Sequence, residues 1–447
     1  MREYTLEALQ KLVFSIQPDL GSGLTDSIVP HLEDIWLSTL VQHFYLSKGH
    51  SFMQFASTLT AADFQSFSSQ LKDLSLALIK HLVADKEFFN LPQHSKIIGD
   101  LHESGDMRYK SGNEIIFKNR DYYAQFICDF TSRFFPGLEQ SFPVHRVENE
   151  VMIREFIPVQ LNAESEDEVK TYYRKLGKVG AILLFLRGID VNAENVITNM
   201  PDPILFDLEC LFSPLHTKDT IYSFRSTGLI RVNKNYDVSG LTGGRAQVNS
   251  YLKPILTGTD DAPKVIWEVP SQGKFYNIPE IKGQRVDPVH YLGDFKEGFQ
   301  LAAKHLEAEK NEVIKLVESH KIGIRIVAKA TKNYRITQQQ YYFPNIYSKI
   351  EIDSYLREEL PKLDYIYAFT ESEQLFENEL VALKSGVIPK FYNEIHDTNV
   401  LDGRGNIVAK LIKSPFEVWK SYLSGYKEEV AKAIKMIDEE YLDEITK

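Results

Sequence analysis

The stretch KVGAILLFLRGIDVNAENVITNMPDPILFDLECLFSP, residues 178–214, decides the fold. It opens with a continuous apolar run, breaks at Gly188 into a polar loop, Ile189–Asn199, and returns to a short apolar run, Pro203–Phe206, that stops at Asp207. Upstream, Ser165-Glu166-Asp167-Glu168 sets a hydroxyl and a carboxylate three residues apart, a capping box that starts a helix. Gly188 is the C-terminal cap expected for that helix. The order is therefore helix, polar loop, strand, with oxygen-bearing side chains at the loop and the strand end. Asp190 and Asn195 stand five apart in the loop, Asp207 ends the strand, and Glu209 two residues on faces the same side if the strand continues. Hard oxygen ligands of this kind suit Mg2+ rather than zinc.

Working towards the N-terminus, Arg154–Val159 is a strand candidate, and extended runs around Met107–Lys110 and Glu114–Lys118 flank the turn sequence Ser111-Gly112-Asn113. Lys118 ends the second run, where a cation can reach nucleotide phosphates. Gly99-Asp-Leu-His102-Glu-Ser-Gly105 precedes the hairpin as a glycine-containing loop. A glycine loop, a strand lysine, D-x4-N and a strand aspartate, in that order, make a phosphotransfer site with ATP and Mg2+ as cofactors. Residues 1–90 carry apolar residues at helical spacing without any catalytic grouping, as a cap or support layer does.

Working towards the C-terminus, residues 211–300 are rich in Gly, Asp, Pro and Thr and are expected as loops. Helical periodicity returns from Tyr291, over FKEGFQLAAKHLEAEKNEVIKLVESH, YLREELPKLDYIYAF, FENELVALKS and the tail FEVWKSYLSGYKEEVAKAIKMIDEEYL, expected as a solvated amphipathic helix.

Composition narrows the function classes. The 447 residues are 43% hydrophobic and 25% charged, as in an ordinary folded chain, and the net charge of −11 argues against a nucleic-acid binder. The two cysteines, Cys128 and Cys210, lack zinc-ligand spacing, and no segment has signal-peptide or membrane-spanning character, so a cytoplasmic location is expected.

Residues 178–214 resemble the dehydratase domain of class II (LanM-type) lanthipeptide synthetases, where the stretch reads D-x-H-x-x-N and then hPhhhDhEtLF, h being hydrophobic. Gly99-Asp100-Leu101-His102 resembles that family's G-D-x-H, IIFKNR its L-V-Y-K-P-R strand, IGIRIVAKATKNY its R-x-x-x-R-P-T-x-x-Y, and ELVALKSGVIPKF its hhALhxGDIPhF. RITQQQYYFP is less diagnostic. The likeness covers roughly residues 91 to 440, in order. It implies an α+β, lipid-kinase-like or protein-kinase-like bilobal fold: a small β-rich N-lobe over 91–160, a larger helical C-lobe over 161–447, and extra helices at both ends. It also implies phosphorylation of Ser and Thr in a ribosomal precursor peptide bearing a leader, followed by phosphate elimination to dehydroalanine or dehydrobutyrine.

By that likeness Lys118 holds ATP phosphates, Asp190 orients the substrate hydroxyl, and Asn195 and Asp207, with Glu209, hold Mg2+. Gly99, Gly105 and Asn192 line the nucleotide, and Asp100, His102, Arg325 and Thr331 serve elimination. An arginine suits a departing phosphate because its fork binds two oxygens. This chain has Asn192 where the family has histidine, Lys329-Ala330 where it has Arg-Pro, and no cyclase motifs. A stand-alone dehydratase is therefore expected, with a separate LanC-like cyclase as partner. A peptide kinase that stops at the phosphorylated product, and a peptide-binding pseudoenzyme, stay open.

Overall fold

The computed structural model describes the chain from residue 76 to residue 445, together with Leu24, apart from short stretches that include 99–107, 119–122, 216–221, 232–236, 244–252, 269–274 and 338–351. The helices expected before residue 76 lie outside the described residues, as do Gly99, Asp100, His102 and Gly105.

The expected hairpin is the centre of an antiparallel sheet. Strands β1 (Lys96–Ile98), β2 (Arg108–Ser111), β3 (Glu114–Lys118), β4 (His145–Glu148) and β5 (Val151–Glu155) pair in the order β1-β2-β3-β5-β4. Gly112 at the β2–β3 turn has φ +60°, which glycine adopts without a Cβ clash. Between β3 and β4 the chain forms α1 (Tyr123–Phe134), whose Phe126, Phe130 and Phe134 recur at i, i+4 and i+8 and are buried together.

After β6 (Asn162–Ala163) comes the central helix α2 (Glu166–Phe185), in which the apolar run Val179–Leu186 is buried throughout. A helix apolar all round has to sit inside the protein. The Ser165 hydroxyl accepts from the Glu168 N–H at its start, but the Glu168 carboxylate turns to the Glu164 N–H, so the capping box is not reciprocal. Gly188 is not the left-handed cap. Arg187 takes that conformation, φ +51°, because its guanidinium donates to the carbonyls of Ser213 and Leu215 and stacks on Tyr222 and Tyr422.

Strands β7 (Val196–Asn199) and β8 (Asp202–Leu205) follow as a hairpin. The 211–300 region, expected as loops, also contains a hairpin of two seven-residue strands, β9 (Lys253–Thr259) with β10 (Ala262–Glu268), and β11 (Glu280–Ile281) joining β6 and β12 (Gln284–Arg285). Pro254 and Pro263 mask that strand pattern in the sequence.

Helix α3 (Leu292–Ala308) lies against α2 at glycine-sized spacing. A Cβ on Gly177 would fall 1.9 Å from the Phe295 carbonyl oxygen, and one on Gly298 1.9 Å from that of Arg174. The long helical run expected here breaks at Glu309 and resumes as α4 (Lys310–Ser319).

The C-terminal part is less helical than expected. Strand β13 (Gly323–Ile326), helix α5 (Ile352–Glu359), strand β14 (Phe369–Thr370) and helix α6 (Glu373–Lys384) precede β15 (Phe391–Glu394), β16 (Asn399–Leu401) and β17 (Ile407–Leu411). These strands form a second five-stranded sheet, in the order β13-β15-β16-β17-β14. Helices α7 (Pro415–Tyr422) and α8 (Tyr426–Ile445) complete the chain. The tail is amphipathic as expected: its charged face is exposed, and its apolar face is part of the core. Trp419 is buried and donates its indole N–H to the Phe185 carbonyl, while Tyr426, Ile437 and Tyr441 are buried on α8. Among the described residues no helix is long and apolar enough to cross a membrane.

Candidate active site

The site grows from backbone contacts around the end of α2. Ile189 N–H donates to the Cys210 carbonyl, and Phe212 N–H to that of Leu186, so residues 209–213 lie beside the loop that opens at Asp190. On the other side Val191 and Ala193 donate to Thr227 and Val238, and Asn192 bridges to Ser239. The loop is thus held on both flanks by main-chain hydrogen bonds.

Asp190 has φ +68°, a left-handed conformation that a short polar residue tolerates best after glycine. Its carbonyl accepts the Asn195 amide at 2.6 Å, closing the D-x4-N loop and leaving the amide oxygen of Asn195 as an acceptor. Asn192 donates towards the Asp190 carboxylate at 3.4 Å and accepts from the Glu194 N–H.

Hairpin β7–β8 then returns the chain to Asp207. Its carboxylate accepts from the Glu209 N–H at 3.2 Å, so residues 207–210 make a turn. The alternation that put Glu209 on the same side as Asp207 therefore does not apply. Glu209 points into the protein, 2% exposed, and its two oxygens accept from Arg325 (2.6 Å) and Lys390 (2.7 Å). Arg325 is fixed by its own backbone as well, through its N–H to the Glu209 carbonyl.

Electrostatics tie these groups together. Asp190 keeps exposed surface, yet its carboxyl is pushed up to about 6. Loss of hydration is the largest cause; the carboxylates of Asp207, Glu209 and Glu194 add to it, and the Arg325 guanidinium opposes it. Burial pulls the Arg325 guanidinium down, but Glu209 and the acidic groups around it outweigh burial and hold it above the ordinary arginine range.

Asp190, Asn192, Asn195, Asp207, Glu209 and Arg325 are therefore brought together. Thr331 stands half-buried in the helical turn after β13. Lys118 is the last residue of β3, paired with Val151, and its side chain lies outside the described residues. Sequence reasoning missed Lys390. Its signal was a lysine at a position where the resembling motif carries an apolar residue.

Lys329, the departure from Arg-Pro, is fully engaged. It binds both oxygens of the buried Glu379 at 2.9 and 2.8 Å, and Tyr334 and Tyr365 donate to the same carboxylate. Its ammonium lies 3.4 Å from the Tyr365 ring centroid.

Whether the donor set fits Mg2+ turns on its chemistry. Among the described residues no three His, Cys, Asp or Glu side chains converge as a metal site. Mg2+ bound with a nucleotide needs fewer, because phosphate and water oxygens fill most of its shell. The half-buried Asp207 carboxylate and the Asn195 amide oxygen are donors of the required kind.

The family model "Domain of unknown function (DUF4135)" matches residues 57–394. That domain is found in LanM-type lanthipeptide synthetases, in agreement with the motifs. The chain is also similar to the lacticin 481/lactococcin biosynthesis protein LcnDR2 of Lactococcus lactis subsp. lactis, at 23% identity over 290 residues, 59% of this chain. The match spans 30% of that relative's length.

Proposed function

The chain belongs to the DUF4135 family, and on that premise we propose that it modifies a lanthipeptide-type precursor, phosphorylating Ser and Thr side chains and then eliminating the phosphate. The observation that carries this reading is the closed Asp190–Asn195 loop with Asp207 delivered beside it by a two-stranded hairpin. This is the order in which kinase-like sites assemble a base and metal ligands, and a sheet of five strands precedes it.

In the first step Asp190 takes the proton of the substrate hydroxyl as its oxygen bonds to phosphorus and the ATP bridging bond breaks. Asn195 and Asp207 would hold Mg2+, and Lys118, with the loop from Gly99 to Gly105 and Asn192, would line the nucleotide. Mg2+-ATP, when bound, supplies the phosphoryl group and the charge neutralisation that lets an anionic site accept it. Glu209 orients Arg325 instead of facing solvent.

In the second step the Cα–H electrons become a Cα=Cβ bond and the Cβ–O pair leaves with phosphate. Asp100 or His102 would take the proton, Arg325 would receive the phosphate, and Thr331 would support that segment. Ring closure falls to a cyclase, in another domain or protein.

One observation favours a second reading, phosphorylation alone: the Arg325 guanidinium is bound to Glu209 and not turned outwards. Mass spectrometry after incubation with a leader-bearing Ser/Thr peptide and Mg2+-ATP separates the two. Dehydration removes one water per site, and phosphorylation alone adds one phosphoryl group. An unchanged mass overturns both.

A further inference from the structure

Glu209 is served by two cations where one would neutralise it. Arg325 takes Oε1 at 2.6 Å and Lys390 takes Oε2 at 2.7 Å, and all three side chains are at least nine-tenths buried. The register of the second sheet produces this. β13 pairs with β15 so that Arg325 faces Tyr392 and Ile326 faces Phe391, which brings Lys390, just before β15, alongside the arginine. Taken by themselves, these three described side chains sum to one positive charge, and they lie within electrostatic reach of Asp190 and Asp207.

An arginine that is the sole partner of a buried carboxylate cannot leave it without stranding a charge in a low-dielectric interior. We infer that Lys390 is a positioning residue that keeps Glu209 paired while the Arg325 guanidinium moves from Oε1 to a phosphate oxygen at the Asp190–Asp207 face. The inference rests on the proposed function only for the source of that phosphate, a phosphorylated Ser or Thr. The geometry itself requires an anion with oxygens that a guanidinium fork can bind. Lys390 does not touch the anion; it sets the ease with which Arg325 is released.

The test is titration calorimetry of the full chain with inorganic phosphate, with circular dichroism as the folding control. The wild-type chain binds phosphate and Arg325→Ala loses that binding. Lys390→Met weakens it at least about tenfold, and Lys390→Arg restores it. Glu209→Gln, which releases Arg325 from a charged partner, binds more tightly than wild type. In Glu209→Gln/Lys390→Met the lysine is no longer needed, and affinity recovers to at least the wild-type level. A wild-type chain that binds no phosphate overturns the inference, as does Lys390→Met binding like wild type or a double variant as weak as Lys390→Met. Should Lys390→Met not fold, Glu209→Gln against wild type decides, and equal affinity overturns it. Arg325-dependent phosphate binding without any change in peptide mass would sink the proposed function and leave this inference standing.

Discussion

Two buried carboxylates, Glu209 and Glu379, have similar partners and sit in different surroundings. Glu379, 0% exposed, accepts from Lys329, Tyr334 and Tyr365, so one negative charge meets one positive charge and two neutral donors. Burial pulls the Lys329 ammonium down and Glu379 pushes it back up, while burial raises the Tyr334 hydroxyl well above its usual range. The cluster is closed and charge-balanced. Glu209 meets two cations among the described residues, Arg325 and Lys390, and these border the acidic pair Asp190 and Asp207. The Glu379 cluster ties the fold together, whereas the Glu209 cluster adjoins the candidate site residues Asp190 and Asp207.

The largest effect expected is that of Asp207→Ala, which should cut phosphorylation, and dehydration with it, by at least about 10³-fold, since a metal-bridged phosphate loses its ligand. Mass spectrometry of the peptide checks this, with the denaturation midpoint nearly unchanged. Lys329→Met should act on the other cluster alone. It strands a buried carboxylate and lowers unfolding free energy by about 3–5 kcal/mol, and Lys329→Met/Glu379→Gln should recover most of the loss in urea denaturation. Lys390→Met, which leaves Glu209 paired with Arg325, should destabilise less; equal destabilisation by Lys329→Met and Lys390→Met would erase the contrast between the clusters. Arg325→Ala should slow elimination about 10²- to 10³-fold while phosphorylation continues, so phosphopeptide accumulates; normal dehydration by this variant removes Arg325 from the second step.

The smallest effect is in pH. The Asp190 carboxyl, raised to about 6, must be deprotonated to act as a base. The phosphorylation rate should therefore fall by up to about tenfold per pH unit below that value and level off above it. A profile flat between pH 5 and about 7 would deny Asp190 that part, and stability over the same range serves as the control.

Much of the site was legible because its groups are close in sequence. Asp190, Asn195 and Asp207 lie within one short unit read as helix, loop and strand; β7 (Val196–Asn199), which pairs with that strand, was read as part of the loop. The β2–β3 hairpin was legible for the same reason. The second sheet was not: β13, β14 and β15 are separated by long segments, and strands of two to five residues carry too little alternation to distinguish them from loops. The amphipathic tail was legible, but its anchoring was not: Arg225 and Arg231 bind Glu440 and pin α8 to the 222–231 segment.

Sequence by itself marked the candidate side chains of the site and their order, since local spacing and turn preference are properties of short segments. It also marked helix α2, through the Ser165 capping signal and the apolar run that follows. Only the tertiary structure decided that Glu209 turns inwards, that Lys390 reaches it from 181 residues away, and that Lys329 belongs to a closed cluster with Glu379. Charge pairing in the interior is a matter of which strands lie side by side, and that is settled by packing between distant segments, not by any window of the chain.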